Sequence, residues 1–246
     1  MNSDVASVGS SAVTISRELS DAVDPLTFGS PVEVVYNPLV HARRSHEAYL
    51  KRYARSGVRA ILLGMNPGPW GMVQTGVPFG EVELTREFLG IEEPVDSPEI
   101  EHPKRPVLGF ECPRREVSGR RLWSWAEERF GTPDRFFDRF FVWNHCPLAF
   151  LEDSGRNRTP DKLPASERDQ LMGICDEALA RMVDLISPEM VIGVGAFAFK
   201  RARLVFGDDG PELGTILHPS PASPAANRGW APQVDKQLQA LGIDLD

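Results

Sequence analysis

The chain is short of cysteine, and what it has is not arranged to pair or to hold a cluster. Cys112, Cys146 and Cys175 are its three cysteines in 246 residues; they lie far apart, and no CxxC spacing occurs. An odd, scattered set points to reduced, isolated thiols rather than a disulfide scaffold or a zinc ribbon. The four cysteines of an iron–sulfur cluster are lacking. No apolar run approaches the roughly 20 residues that cross a bilayer, and no basic stretch followed by an apolar one opens the chain, so neither a membrane span nor a secretory signal is expected. Neither GxGxxG nor the GxxxxGK phosphate loop is present, which leaves the nucleotide-binding reading weak. Positive charge is not in excess either. The formal balance of −8 argues against strong non-specific binding along a duplex. Local basic stretches exist nonetheless: Lys104, Arg105, Arg114, Arg115, Arg120 and Arg121; Arg156, Arg158 and Lys162; Lys200, Arg201 and Arg203.

What is present suffices for one globular domain, since 41% of the residues are hydrophobic and the length allows a substantial core. Residues 1–15, rich in Ser, Val and Ala, read as a loose tail, with a single domain over 16–246. Helices are predicted for Arg43–Arg55, Gly119–Phe130 and Ala196–Phe206. A further one carries Leu171, Ile174, Ala178, Met182, Val183 and Ile186 at intervals of three or four, and Val234, Leu238 and Leu241 mark a closing helix. The short apolar run Val58–Gly64 reads as a buried strand, and Phe140–Trp143, Met190–Val194 and Gly214–Leu217 as three further strands. Residues 92–117, with five prolines, read as loop. Strands alternating with helices predict an α/β fold, a three-layer α-β-α sandwich around a central, mostly parallel four-stranded sheet. Ligands of such sheets bind beyond the carboxyl ends of the strands. Three such ends carry the most unusual sequence of the chain: Asn66, Asn144 and His218.

The run Gly64–Glu81 holds five glycines and three prolines, yet also Met65, Trp70, Met72, Val77 and Phe79. Long, apolar, ordered loops of this kind are often functional. After His218, prolines 219, 221 and 224 hold the backbone extended and keep a helix from starting, and the serines among them can donate to phosphate oxygens.

Together the Gly64–Glu81 run, Val142–Leu148 and His218–Trp230 closely resemble the single-strand-selective monofunctional uracil-DNA glycosylases, in the right order and over about residues 25–240. The resemblance implies the uracil-DNA glycosylase fold and hydrolysis of the bond between a flipped uracil and its deoxyribose, leaving an abasic site. It implies that Asn66 positions the attacking water and that His218 hydrogen-bonds uracil O2 and stabilises the departing anion. Phe79 is then the ring that stacks on the base, and Asn144 the amide that pairs with O4 and N3–H, a pattern cytosine reverses. Met65 and Gly68 supply backbone and space around the base, with room at the 5-position for 5-hydroxymethyluracil and other altered bases. The loop of Ser220, Pro221, Ala222, Ser223, Asn227 and Arg228 is implied to meet DNA and fill the space left by the base. Where an arginine wedge is common in the family this chain has Ala222, so a preference for single-stranded or mismatched uracil is expected. No lysine lies in the three motifs, so no Schiff-base nucleophile is expected. The expected partner is DNA containing uracil, with no cofactor, no metal, no membrane and a monomeric enzyme; the expected location is cytoplasmic at a bacterial nucleoid, or nuclear in a eukaryote. The competing reading is a catalytically silent single-strand binder stacking bases on Phe79 and Trp70; the retention of both Asn66 and His218 argues against it.

Overall fold

The computed structural model describes residues 3–245. In chain order the elements are α1 (Ser3–Val23), β1 (Val32–Tyr36), α2 (Pro38–His41), α3 (Arg43–Tyr53), β2 (Ala60–Gly64), α4 (Met72–Thr75), α5 (Val82–Glu87), α6 (Val117–Phe130), α7 (Pro133–Phe137), β3 (Phe140–Asn144), β4 (Ala149–Glu152), β5 (Asn157–Arg158), α8 (Ala165–Ile186), β6 (Met190–Val194), α9 (Ala196–Phe206), β7 (Glu212–Ile216) and α10 (Trp230–Ala240). The strands β3, β2, β6 and β7 lie side by side in that order, all parallel. Every residue of β2, β3 and β6 is buried, which is why these runs are continuously apolar instead of alternating. Neighbouring residues of β3 serve opposite layers: Phe140 packs edge-on to Trp125 of α6 and stacks on Phe136 of α7, whereas Phe141 stacks on Tyr49 of α3. The three-layer sandwich with a parallel four-stranded centre is the one expected from the sequence.

Two features depart from that expectation. The segment read as a tail is helical from Ser3 onward, and α1 packs against α3 and α8; Met1 and Asn2 lie outside the described residues. Ala12, Ile15, Leu19 and Val23 recur every three or four residues and are all buried. The stripe is hidden in sequence because Ser, Ala and Gly surround it, so its apolarity is diluted. The second feature is a small antiparallel sheet, β1-β4-β5, not foreseen from the sequence. It anchors the proline-rich segment: the buried Tyr36 hydroxyl donates to the Arg105 carbonyl at 2.7 Å and accepts from the His102 amide at 2.8 Å. This brings residues 101–119 against the carboxyl end of the main sheet.

If α1 is part of the core, Leu19→Ala, which empties a fully packed position, lowers the unfolding free energy in urea by roughly 2–5 kcal/mol. A loss below about 0.5 kcal/mol, the size typical of an exposed site, would mean that α1 does not pack as described.

Candidate active site

The parallel register of β2 and β3 continues past their ends, with the His145 amide on the Gly64 carbonyl (3.0 Å) and the Cys146 amide on the Met65 carbonyl (2.9 Å). This locks the first two motifs side by side. Beyond them, and beyond β7, opens a cavity of about 510 Å³ whose lining includes Met65, Asn66, Gly68, Phe79, Asn144, His218, Ser220 and Pro221. All six residues assigned to base binding or chemistry from the sequence therefore share one cavity, joined by the first two residues of the following loop. Ala222, Ser223, Asn227 and Arg228 lie outside it, on the protruding part of that loop, where Ala222, Asn227 and Arg228 are exposed.

Hydrogen bonding fixes which atoms face the cavity chemically. The Asn66 side-chain nitrogen donates to the Leu148 carbonyl at 3.2 Å, which assigns the amide orientation and leaves Oδ1 as an acceptor for water. In His218, Nδ1 accepts the Ser220 backbone N–H at 3.0 Å. A backbone amide only donates, so the ring proton of the neutral imidazole must sit on Nε2. Burial pushes the His218 pKa down to about 4, because the cation loses hydration that nothing nearby replaces. At neutral pH the residue is thus an uncharged Nε2–H donor. The Asn144 amide is buried, and its nitrogen meets the Met72 thioether at 3.2 Å, a weak acceptor that leaves the amide available to a stronger partner.

Phe79 is held in a strained backbone, with φ of +54°, a conformation that costs an aromatic residue energy and persists only when its surroundings impose it. Those surroundings are visible. A Cβ on Gly64 would overlap Asn144 Oδ1 and come within 2.7 Å of the Phe79 ring, and a Cβ on Gly119 would overlap the Phe79 carbonyl oxygen. The Trp123 indole N–H donates to the Pro78 carbonyl at 3.3 Å, and Thr75 Oγ1 donates to the Gly80 carbonyl at 2.9 Å. The Phe79 and His218 rings lie 6.2 Å apart, centre to centre.

The remaining wall was not recognised from the sequence. Met72, Glu116, Ser118, Asn157 and Thr159 also line the cavity. Glu116 caps α6, its carboxylate accepting the Ser118 amide at 3.1 Å and the Gly119 amide; burial raises its pKa, opposed by these two donors. Among the described residues it is the one carboxylate in the lining. The signal for it, Glu116-Val-Ser-Gly119, is an ordinary helix cap at the edge of a basic, proline-rich loop, and nothing local sets it apart. Several of the basic residues are neutralised at home: Arg120 pairs with Glu83 at 2.9 Å, Arg158 with Glu152 at 2.8 Å, and Arg201 with Asp176. Arg105 and Arg114, by contrast, both sit over the Trp70 ring beside the cavity.

A doubly covered parallel sheet whose strand ends join a neutral imidazole donor, two amides and an aromatic ring has the chemistry to suit a planar heterocycle with polar edges. Residues 50–241 match the family model of the Uracil DNA glycosylase superfamily. Over 227 residues the chain is 49% identical to the single-strand selective monofunctional uracil DNA glycosylase of Bos taurus, covering 92% of this chain and 84% of that one. It is 50% identical to the counterpart from Rattus norvegicus over the same length, 92% and 82% of the two chains. The crystal structure of wild-type Pedobacter heparinus SMUG2 aligns with a TM-score of 0.65 at 16% identity, over 93% of this chain and 97% of that one, a likeness of fold. The chain belongs to the uracil-DNA glycosylase superfamily, within its single-strand-selective monofunctional family.

Nitrogen NMR of labelled histidine should show His218 protonated on Nε2 and neutral from pH 8 to 5, charging only near pH 4. A transition near the ordinary 6.5 would contradict both the tautomer and the burial described.

Proposed function

We propose that this chain hydrolyses the N-glycosidic bond of uracil in DNA and leaves an abasic site. The observation that carries this reading is the convergence of Asn66 Oδ1 and the neutral His218 Nε2–H on the cavity that Phe79 and Asn144 also line. Breaking the bond needs an oriented water, a stabilised leaving anion and an immobilised base. Asn66 Oδ1 accepts a hydrogen bond from the water and aims its oxygen, but an amide is not a base and takes no proton from it. The greater share of the barrier reduction therefore falls on the leaving group: His218 donates to O2 of uracil as negative charge grows there, and does so without a charge that would need solvation. Asn144 reads O4 and N3–H together, and cytosine, with donor and acceptor exchanged, leaves that buried amide mismatched. Phe79, already fixed in its strained turn, stacks on the extruded ring with little further loss of freedom.

We take the enzyme to act as a monomer, at the nucleoid in a bacterium or in the nucleus in a eukaryote. With Ala222 at the tip of the loop, single-stranded or mismatched uracil is the favoured substrate, and U·A duplex should be cut more slowly at equal salt.

Incubation with a uracil-containing oligonucleotide should release free uracil, and either Asn66→Ala or His218→Leu should lower kcat by about 100-fold or more. Gly64→Ala, which pushes on both Asn144 and Phe79, should cost about 100-fold in kcat/KM while the protein stays folded. Binding of the strand with no release by the wild type would favour the silent-binder reading; release unaffected by both catalytic substitutions would overturn the residue assignments.

A further inference from the structure

The first motif and the loop after His218 lie far apart in sequence, and one helix joins them. The N-terminal turn of α6 supports the first motif: Glu116 packs under Gly68 and Gly71, and Gly119 lies against the Phe79 carbonyl. One step further along the same helix, Arg121 turns to the loop. Its Nη1 donates to the carbonyl oxygens of Pro219 (2.9 Å) and Ser220 (3.3 Å), and its Nη2 donates to Asn227 Oδ1 at 2.8 Å. Asn227 Nδ2 donates in turn to the Pro221 carbonyl at 2.9 Å. A single half-buried guanidinium thus gathers both ends of the protrusion.

The loop needs such a clamp because of its composition. Proline has no N–H, so residues 219, 221 and 224 donate nothing to the loop; its internal turns rest on the Ser223, Asn227 and Arg228 amides, and the Pro219 and Pro221 carbonyls take their donors from the side chains of Arg121 and Asn227. A planar, always charged guanidinium with five donors suits several acceptors at once. The tip, moreover, is Ala222 and exposed. With no long side chain to insert, any wedge action must come from the stiffness of the prolyl backbone itself, and that stiffness is only as good as its anchorage.

We propose that Arg121 is a positioning residue that braces the Pro219–Asn227 loop for insertion into duplex DNA, so that it governs excision from double strands more than from single strands. This rests on the reading of the chain as a uracil excising enzyme whose loop replaces the flipped base. A single strand has no opposing stack to open, so it makes little demand on the brace. Three protein acceptors already engage the guanidinium, which sets it apart from a phosphate contact.

The test measures kcat/KM on uracil in a single strand and in a U·G duplex of the same sequence and salt, for the wild type, Arg121→Ala, Arg121→Lys, Asn227→Ala and the Arg121→Ala/Asn227→Ala double variant. Expected for Arg121→Ala is a fall of about tenfold or more in the duplex-to-single-strand ratio, the scale of one lost hydrogen bond to a charged group. Arg121→Lys, which keeps the charge but not the fork, should fall between and carries the test if the alanine variant does not fold. The duplex losses of the two alanine variants should combine well short of additively, as for residues in one network. Equal loss on both substrates, or full additivity, overturns the proposal. So does a drop of about one in the slope of log affinity against log salt on both substrates, which would make Arg121 a phosphate contact. Absence of uracil release by the wild type would instead overturn the underlying reading, and shows before any variant is compared.

Discussion

The architecture of the site depends on one close approach: at the last residue of β2, Gly64, both Asn144 and the Phe79 ring occupy the space where a side chain would go. Parallel pairing places Gly64 directly beside Asn144. The long segment that follows must then double back so that Phe79 returns over the same strand end. It does so at the expense of a left-handed backbone, held by Gly119 of α6, the Pro78 and Gly80 carbonyl contacts and the helix caps around them. The strain is thereby stored in the wall of the cavity, as is common where surroundings impose a sparsely populated backbone at a binding site.

The electrostatic character of the cavity follows the same economy. The residues that would do chemistry are neutral: two amides and an imidazole whose pKa burial has pushed to about 4. A neutral donor loses little on desolvation and gains strength as charge develops on its acceptor. The Glu116 carboxylate in the lining is engaged by the amides that begin α6. That also reconciles an acidic chain with a nucleic-acid substrate. Net charge weakens indiscriminate adhesion to duplex, while Arg105 and Arg114 bring positive charge together over Trp70, next in sequence to Pro69 of the cavity wall.

Much of this was legible in the sequence, and for identifiable reasons. Three of the four central strands, β2, β3 and β6, come from uninterrupted apolar runs, and α8 and α10 carry apolar residues at intervals of three or four; both are local signals that burial on two faces or on one dictates. The three strand-end motifs could be found because their glycines and prolines make no sense as ordinary connections. What escaped was non-local or muted. β1 pairs with β4 from far along the chain, and β5 contributes two residues only. The stripe of α1 is diluted by small residues. Glu116, Ser118, Asn157 and Thr159 reach the cavity only because the Tyr36 hydroxyl and the small sheet draw their segments in, and no spacing in the sequence announces that. Gly64 could be read as the end of a strand, but its packing role requires the partner side chains in place.

The most direct measurement of the central claim is a crystal structure of the wild-type protein with uracil bound. That structure should show the ring stacked on Phe79, O2 within hydrogen-bond distance of His218 Nε2, and O4 with N3–H on the Asn144 amide, with no such binding of cytosine under equal conditions. Uracil lodged elsewhere, or cytosine held in the same cavity on the same side chains, would contradict it.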